Sequence, residues 1–142
     1  MYLGDFKYGA TVYVPFNTFD SNGASITLTG LAVTDIEIYK NGNTTQRASD
    51  NGYTLLDTDG IDFDGITGIH GFSVDTSDNL TAGFFGPGND YAVVVSSVTV
   101  DTRTVNFVRT FSIENRGEPG LLARTTIATL ASQTSFTLTA GS

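Results

Sequence analysis

Residues 57–75 read DTDGIDFDGITGIHGFSVD, and this stretch indicates the fold of the whole chain. Asp59-Gly60 and Asp64-Gly65 are dipeptides that tolerate the positive φ angles of tight turns. They flank a short strand-like segment in which Ile61 and Phe63 are expected to point inward. The stretch therefore predicts two tight turns followed by a core strand.

Closely spaced carboxylates in the same stretch raise an alternative, a calcium site. Asp57, Asp59, Asp62 and Asp64 could supply the hard oxygen ligands that Ca²⁺ prefers. In an EF-hand frame that begins at Asp57, however, Ile61 takes the fifth position and Asp62 takes the position of the glycine, so that motif fails. Turns are favoured over a weak surface calcium site, and no cofactor is expected.

His70 is the only histidine of the chain, so every Ser-His-Asp scheme and every histidine-based metal site would have to include it. It lies on the predicted core strand, whose face also carries Phe72 and Val74, and no GxSxG motif or second ligand accompanies it. A structural histidine, half-buried or at the surface, is favoured over a catalytic one. We do not expect an enzyme.

The composition excludes several classes of protein. The chain has 142 residues, a net charge of −8 and no cysteine. The length fits one ordinary domain with a short appendage, and the lack of cysteine excludes a disulfide scaffold and a thiol nucleophile. The seven basic residues are scattered singly, which disfavours binding to nucleic acid or to an anionic membrane. No signal peptide or transmembrane helix is predicted, and folding in a cytoplasm is expected.

Alternating apolar residues predict an edge strand near the start of the chain. Within residues 11–19, Val12, Val14 and Phe16 share one face, which is the period of a half-buried strand. Pro15 interrupts the other face and cannot donate to a hydrogen-bond ladder. This strand is therefore expected at the edge of a sheet.

A hairpin is predicted in the next part of the chain. Residues 34–40 alternate with Ile36 and Ile38 inward, and they run directly into Asn41-Gly42, the strongest short-range hairpin signal. The return strand is expected over residues 44–48. Because that segment is only weakly apolar, we expect it to be exposed at a sheet edge.

Residues 90–100, with the run YAVVVSSVTV, form the best core strand of the sequence. Tyr91 follows a Gly-Asn-Asp corner, where the hydroxyl of a tyrosine corner would bond back to upstream backbone. In the following strand, residues 104–113, Arg109 is expected to lay its aliphatic stem along the core. Seven or so short strands separated by turn signals predict an all-β fold, an antiparallel immunoglobulin-like β-sandwich, with a barrel as the second choice.

The character of the sequence changes after residue 115. Residues 1–115 are predicted to form the sandwich, and residues 116–142 a linker and an extended C-terminal arm. The arm is too short to bury its apolar runs alone, so it is expected to dock on the domain or on another chain, with Phe136 to Leu138 available for strand addition. The predicted interface residues are Leu121, Leu122, Ile127, Leu130, Phe136 and Leu138.

A family resemblance suggests a role. The succession GDF, VYVPFNTFDSNGASITLTG, IEIYKNG, IDFDGITGIHGFSVDTSD, GNDYAVVVSSVTVD and FSIEN resembles an N-terminal domain recurrent in virion proteins of tailed bacteriophages. It is similar, more distantly, to the N-terminal domain of upper baseplate proteins, and the likeness covers about residues 4–115. The resemblance implies a non-enzymatic virion protein used in capsid decoration, at the neck or in tail fibre or baseplate attachment. It implies other virion proteins as partners and a homo-oligomer, with a trimer as the guess.

An alternative function is a carbohydrate-binding module for host surface glycans. Tyr39, Tyr53, Phe84 and Phe85 could offer ring faces to the C–H edges of a sugar. For most aromatic residues of the chain, however, the core or an interface is the expected location.

Overall fold

The computed structural model of the protein describes residues 1–56, 62–78 and 80–116. These ranges contain seven β-strands, a short 3₁₀ turn and no α-helix, which confirms the all-β prediction. In the same ranges no helix is long and apolar enough to cross a membrane. The strands are β1 (Tyr2–Phe6), β2 (Thr11–Asn17), β3 (Ile36–Lys40), β4 (Tyr53–Leu55), β5 (Ile69–Asp75), β6 (Asn89–Val100) and β7 (Arg103–Ile113).

The strands form two sheets, one with the order β1-β7-β6-β3 and one with the order β2-β5-β4. Both sheets contribute to one hydrophobic cluster, so they form the two layers of a sandwich-like fold. The predicted antiparallel pairing holds for the other strand pairs, and β1 and β7 are the exception because they run parallel. These strands come from opposite ends of the described chain, so no short hairpin forces them to be antiparallel.

The edge strand predicted around Pro15 is confirmed. β2 pairs with β5 only on one side and lies at the edge of its sheet. Val12, Val14 and Phe16 are buried, and the intervening residues are exposed. The outward carbonyl oxygen of Pro15 accepts a hydrogen bond from Arg109 Nε at 3.3 Å, so the half-buried Arg109 side chain reaches from β7 to β2.

The predicted hairpin after β3 is wrong. Asn41 and Gly42 turn the chain with φ angles of 50° and 72°, but residues 44–48 form no strand. β3 pairs instead with β6, and the segment after the turn keeps one ladder-like bond, from Arg47 N to Ile38 O at 2.8 Å. The side chain of Arg47 is buried, and its guanidinium lies 5.4 Å from the ring centre of Tyr53 in β4.

Tyr91 lies near the start of β6, and its hydroxyl makes the predicted hydrogen bonds to the backbone upstream of this strand. Its hydroxyl accepts a hydrogen bond from Gly86 N at 2.9 Å and donates one to Phe84 O at 3.1 Å. The ring stacks on Phe111 of β7 at a centroid distance of 4.9 Å. The predicted bond back to upstream backbone is therefore confirmed, and it fixes the loop before β6 against the core.

The turn predicted at Asp64-Gly65 is confirmed. Both residues have positive φ angles, 48° and 71°, and Ile66 N donates to Phe63 O at 2.7 Å. Positive φ at both central residues is typical of the type I′ turn that suits a right-twisted ribbon. The second predicted turn, Asp59-Gly60, lies outside the described residues.

Two glycines of the same stretch permit close approach of neighbouring segments. A Cβ atom on Gly71 would lie 2.7 Å from Phe63 Cζ. A Cβ atom on Gly68, which has a φ angle of 81°, would lie 2.9 Å from Thr18 O and 3.2 Å from Ile26 N. The connection before β5 therefore lies directly against the connection that follows β2.

Gly68→Ala is expected to lower the free energy of unfolding by about 3 kcal/mol, because the methyl group adds overpacking against Thr18 O to the cost of a positive φ angle. Gly65→Ala is the matched control, since Gly65 has a φ angle of 71° and nothing within 4 Å of its Cβ position. The control is expected to lose about 1 kcal/mol. Urea unfolding followed by tyrosine fluorescence measures both, and equal losses would contradict the close approach.

Candidate functional site

The aspartates predicted as weak calcium ligands fall into two groups. Asp57 and Asp59 lie outside the described residues. Asp64 is exposed in its turn, whereas Asp62 faces internal donors. In residues 1–56, 62–78 and 80–116, no group of three or more acidic or histidine side chains is placed to hold a metal ion. The weak calcium site stays a prediction.

Asp62 ties two loops together. Its Oδ2 accepts a hydrogen bond from Thr27 Oγ1 and its Oδ1 accepts one from Gly68 N, both at 2.7 Å. The hydrogen bond from Thr27 is the main reason that the pKa of Asp62 lies below its ordinary value. Both carboxylate oxygens thus serve to join the loop after β2 to the loop before β5.

His70 is buried in the same region. Its Nε2 lies 2.7 Å from Thr18 Oγ1, and the Thr18 hydroxyl itself donates to the carbonyl oxygen of Ile26. Because that hydroxyl has a single proton, Nε2 must be the donor to Thr18. Burial lowers the pKa of His70, although the charge of Asp62 opposes the shift. The predicted half-buried or surface position of this histidine is wrong, because its side chain is fully buried and hydrogen-bonded to Thr18.

Arg47 is the buried charge that the sequence did not reveal. Its side chain is fully buried, and its Nη1 donates to Ser49 O at 2.9 Å and to Asn51 O at 2.7 Å. Its Nη2 pairs with the carboxylate of Asp78. Three separate points of the chain are therefore held by one guanidinium group.

Two aromatic rings complete the surroundings of Arg47. The guanidinium carbon lies 5.4 Å from the ring centre of Tyr53 and 5.0 Å from that of Phe85, so both rings make cation–π contacts. Both rings are buried and offer no face to a ligand. The carbohydrate hypothesis consequently keeps two of its four aromatics, Tyr39 and Phe84.

Phe84 borders a shallow hollow. The hollow has a volume of about 500 Å³, and Phe84 is half-buried beside it. Lys40 Nζ donates to Gly83 O at 3.0 Å across this region. The hollow is lined by Lys40, Asn41, Gly42, Asn43, Thr45 and Phe84. Carbohydrate binding stays a prediction that this geometry leaves open.

The outer surface of the four-stranded sheet is unusually apolar. Paired residues of neighbouring strands point to the same side of a sheet. The register aligns Val94 with Val108 on one side and with Glu37 at the β3 edge on the other, and it aligns Ala92 with Tyr39 and Thr110. Tyr2 continues the second row opposite Thr110. We call this surface the outer face; it consists of Tyr2, Tyr39, Ala92, Val94, Val108 and Thr110.

The other sheet presents a polar surface. Thr11 lies opposite Asp75, and Ser73 lies between Tyr13 and Thr54. Tyr13 is its main aromatic group and is 61% exposed. The apolar character of the outer face is therefore a property of one sheet and not of the whole surface.

The chain leaves the described part at the rim of the outer face. Asp5 accepts hydrogen bonds from Asn115 N at 3.0 Å and Arg116 N at 3.2 Å. The guanidinium of Arg116 lies 4.6 Å from the ring centre of Tyr2 and 3.7 Å from Asp90. Tyr2, Asp90 and Arg116 border a groove of about 240 Å³.

Comparison with family models, with curated proteins and with solved structures finds no match to this chain. The resemblance to a bacteriophage virion domain therefore stays a prediction. The interface residues predicted for the arm lie outside the described residues: Leu121, Leu122, Ile127, Leu130, Phe136 and Leu138.

The sequence analysis did not predict the outer face or the buried Arg47, but the sequence does contain a signal for the outer face. The uninterrupted run from Ala92 to Val95 is typical of a strand covered on both faces, and it places Ala92 and Val94 on the outer face. Arg47 had no such signal, because its partner Asp78 lies far away in the sequence.

His70→Gln is expected to remove one step in the pH dependence of stability. The pKa of His70 in the folded protein lies below the ordinary value of 6.5, so the unfolded chain takes up the proton first as the pH falls. Stability due to this group is thus complete above pH 6.5 and is lost as the pH drops toward the folded pKa. Urea midpoints between pH 8 and pH 5 measure the step. If the variant showed the same dependence of the urea midpoint on pH as the parent, the assignment of this step to His70 would be wrong.

Arg47→Met is expected to lower the free energy of unfolding by about 3 kcal/mol, because it leaves the buried acceptors of the guanidinium without a donor. Arg103→Met removes the same charge from an exposed position and is expected to change stability by less than about 0.5 kcal/mol. Denaturant unfolding of both variants gives the comparison. Similar losses in the two variants would argue against a structural role of the buried arginine.

Proposed function

We propose that this chain is a non-enzymatic structural protein of a tailed-bacteriophage virion that works through protein–protein contacts. Its partners are other virion proteins and further copies of itself, with a trimer as the first expectation. The observation that carries the proposal is the outer face of the four-stranded sheet. The resemblance in sequence supplies the setting, and the outer face supplies the contact surface.

The outer face supports protein contact because it exposes apolar area that water disfavours. Val108 is 51% exposed and Tyr2 is 43% exposed, and the half-buried Ala92 and Val94 lie on the neighbouring strand β6. An antiparallel sheet with one solvated side normally alternates apolar and polar residues. A continuous apolar surface with a charged rim marks a binding surface more often than a solvated one.

The sheet edges favour contact through this face over strand addition. At the β2 edge, Pro15 lacks a donor and its carbonyl oxygen is occupied by Arg109. At the β3 edge, Ile38 O accepts a bond from Arg47 N. Strand β4 has three residues, and the register of β1 shifts around Gly4. Strand addition by Phe136 to Leu138 is therefore less favoured than docking through side chains.

The finer description of the fold belongs to the same proposal. The fold has a four-stranded sheet in the order β1-β7-β6-β3 and a three-stranded sheet in the order β2-β5-β4. Two such sheets, packed face to face, fit an immunoglobulin-like sandwich. The hydroxyl of Tyr91 that bonds to Phe84 O supports this assignment. Domains of this architecture recur in surface and attachment proteins, which agrees with a structural role.

The buried polar groups support a non-enzymatic role. Asp62 and His70 bond to loop donors and acceptors, and Arg47 bonds to Asp78 and to backbone carbonyls. Each of these groups stabilises the fold through bonds within the protein. The proposal accordingly assigns binding to the surface and folding to the buried polar residues.

Incorporation into particles tests the proposal. Mass spectrometry of purified virions of the phage that encodes the chain is expected to detect it, and its absence would overturn the virion role. A tagged Val108→Glu chain, supplied during infection, is expected to enter particles about tenfold less than the parent, because a buried carboxylate opposes the contact. Tyr13→Glu, on the polar sheet, is the matched control and is expected to be incorporated like the parent. Equal incorporation of both variants would exclude the outer face.

A further inference from the structure

We propose that the hollow beside Phe84 binds a single pyranose ring that carries a carboxylate, such as a uronic acid residue of a glycan. The turn after β3 and the loop before β6 together line this hollow. The inference goes beyond the proposed function, because it assigns the chain a small ligand in addition to its protein partners.

The turn side of the hollow is fixed before any ligand binds. Asn41 has a φ angle of 50°, and Asn43 N donates to Lys40 O at 2.9 Å. The Asn41 side chain is held at both ends: its Nδ2 donates to Asn89 Oδ1 at 2.8 Å, and its Oδ1 accepts a hydrogen bond from Asp90 N at 2.9 Å. A ligand therefore has little backbone or side-chain entropy to remove on this side.

Phe84 on the loop side is fixed as well. Its ring packs edge-on against Phe85 at a centroid distance of 5.2 Å, and its carbonyl oxygen accepts a hydrogen bond from the Tyr91 hydroxyl at 3.1 Å. Unlike the buried Phe85, Phe84 is half-buried and lines the hollow. An accessible ring in a fixed position suits the C–H edges of a pyranose, which stack on aromatic faces.

Lys40 supplies the charge of the hollow. It is the charged member of the six lining residues, and the others contribute amide, hydroxyl, backbone and aromatic groups. Its Nζ donates to Gly83 O at 3.0 Å, which positions the ammonium group and uses one of its three donors. The other donors suit a carboxylate, because charge-assisted hydrogen bonds are stronger than neutral ones. A carboxylated sugar is thus preferred over one that carries hydroxyl groups alone.

The size of the hollow and the adjacent sheet edge favour a compact ligand over a peptide. The volume of about 500 Å³ lies within the range of small-ligand pockets, which is about 300–1,000 Å³. An extended peptide would gain affinity by pairing with the edge of β3. At that edge, however, Ile38 O already accepts a hydrogen bond from Arg47 N at 2.8 Å.

Nuclear magnetic resonance titration of the isotope-labelled full chain tests the proposal, with methyl glucuronide as the probe. Methyl glucoside, which lacks the carboxylate, and sodium acetate, which lacks the ring, are the matched controls. The glucuronide is expected to shift the backbone amide signals of Lys40, Asn43, Thr45 and Phe84, with an affinity about tenfold higher than that of the glucoside. Acetate is expected to leave the signal of Phe84 unchanged.

Two substitutions locate the ligand. Lys40→Met is expected to weaken glucuronide binding about tenfold, whereas Arg103→Met, which removes a charge at the far end of β6 and β7, is expected to bind like the parent. Phe84→Leu keeps an apolar side chain but removes the ring, and it is expected to weaken binding of the glucuronide about tenfold. Phe84→Tyr is expected to retain binding. Urea unfolding of each variant checks that the fold is intact.

Each outcome decides the question. Glucuronide binding that requires both Lys40 and the ring at position 84 supports the site. Equal affinities for the glucuronide and the glucoside would overturn the assignment of an acidic sugar, and equal shifts with acetate would overturn the sugar in favour of a bare ion contact. No shift at Phe84 with either sugar would overturn the site. The titration uses the isolated chain and leaves particle incorporation untested, so its failure is distinguishable from failure of the proposed function.

Discussion

The buried guanidinium of Arg47 is the interaction on which the joining of the two sheets depends. It lies on the crossing from β3 to β4, where it holds the carbonyl oxygens of Ser49 and Asn51 and the carboxylate of Asp78. A buried charge is costly unless it is paired and hydrogen-bonded. Nη1 and Nη2 have such partners, whereas the buried Nε has none among the described residues, so removal of the Nη partners is expected to destabilise this crossing. The cation–π contact with Tyr53, the first residue of β4, then positions this strand of the three-stranded sheet against the segment that follows β3.

The opposite end of the fold is fixed by a different polar cluster. Thr18 bonds to His70 and to Ile26 O, and Asp62 bonds to Thr27 and to Gly68 N. Both ends of the sandwich are thus held by hydrogen bonds made inside the molecule, with apolar packing between them. These polar groups bond within the protein, whereas the sheet surfaces and the hollow beside Phe84 are open to a ligand.

Sequence patterns predicted the elements whose causes are local. Alternation revealed β2 and β3, a continuous apolar run revealed β6, and an Asp-Gly pair revealed the turn at Asp64. The strand expected over residues 44–48 was wrong, because the burial of Arg47 is decided by Asp78, whose position only the folded chain provides. Strand β1 was missed for a similar reason, since it is stabilised by pairing with β7 at the other end of the described chain. Local sequence patterns thus predicted most strands of the two sheets. The connections between the sheets depend on long-range polar contacts, which these patterns do not contain.

The net charge of the protein affects which surface can associate with another molecule. Copies with a net charge of −8 repel one another, although a Debye length of about 8 Å at physiological salt confines that repulsion to short range. The row from Tyr2 to Tyr39 is uncharged at neutral pH, whereas the row of Val108 and Val94 ends at the carboxylate of Glu37 on the edge strand β3. Asp90 and Arg116 lie beside Tyr2. Apolar burial at about 25 cal/mol per Å² can therefore outweigh repulsion there, whereas on the polar sheet Asp75 would be desolvated without a basic partner in register. For an acidic chain, association is thus favoured through the sheet surface that carries fewer charges, with Glu37 at its β3 edge.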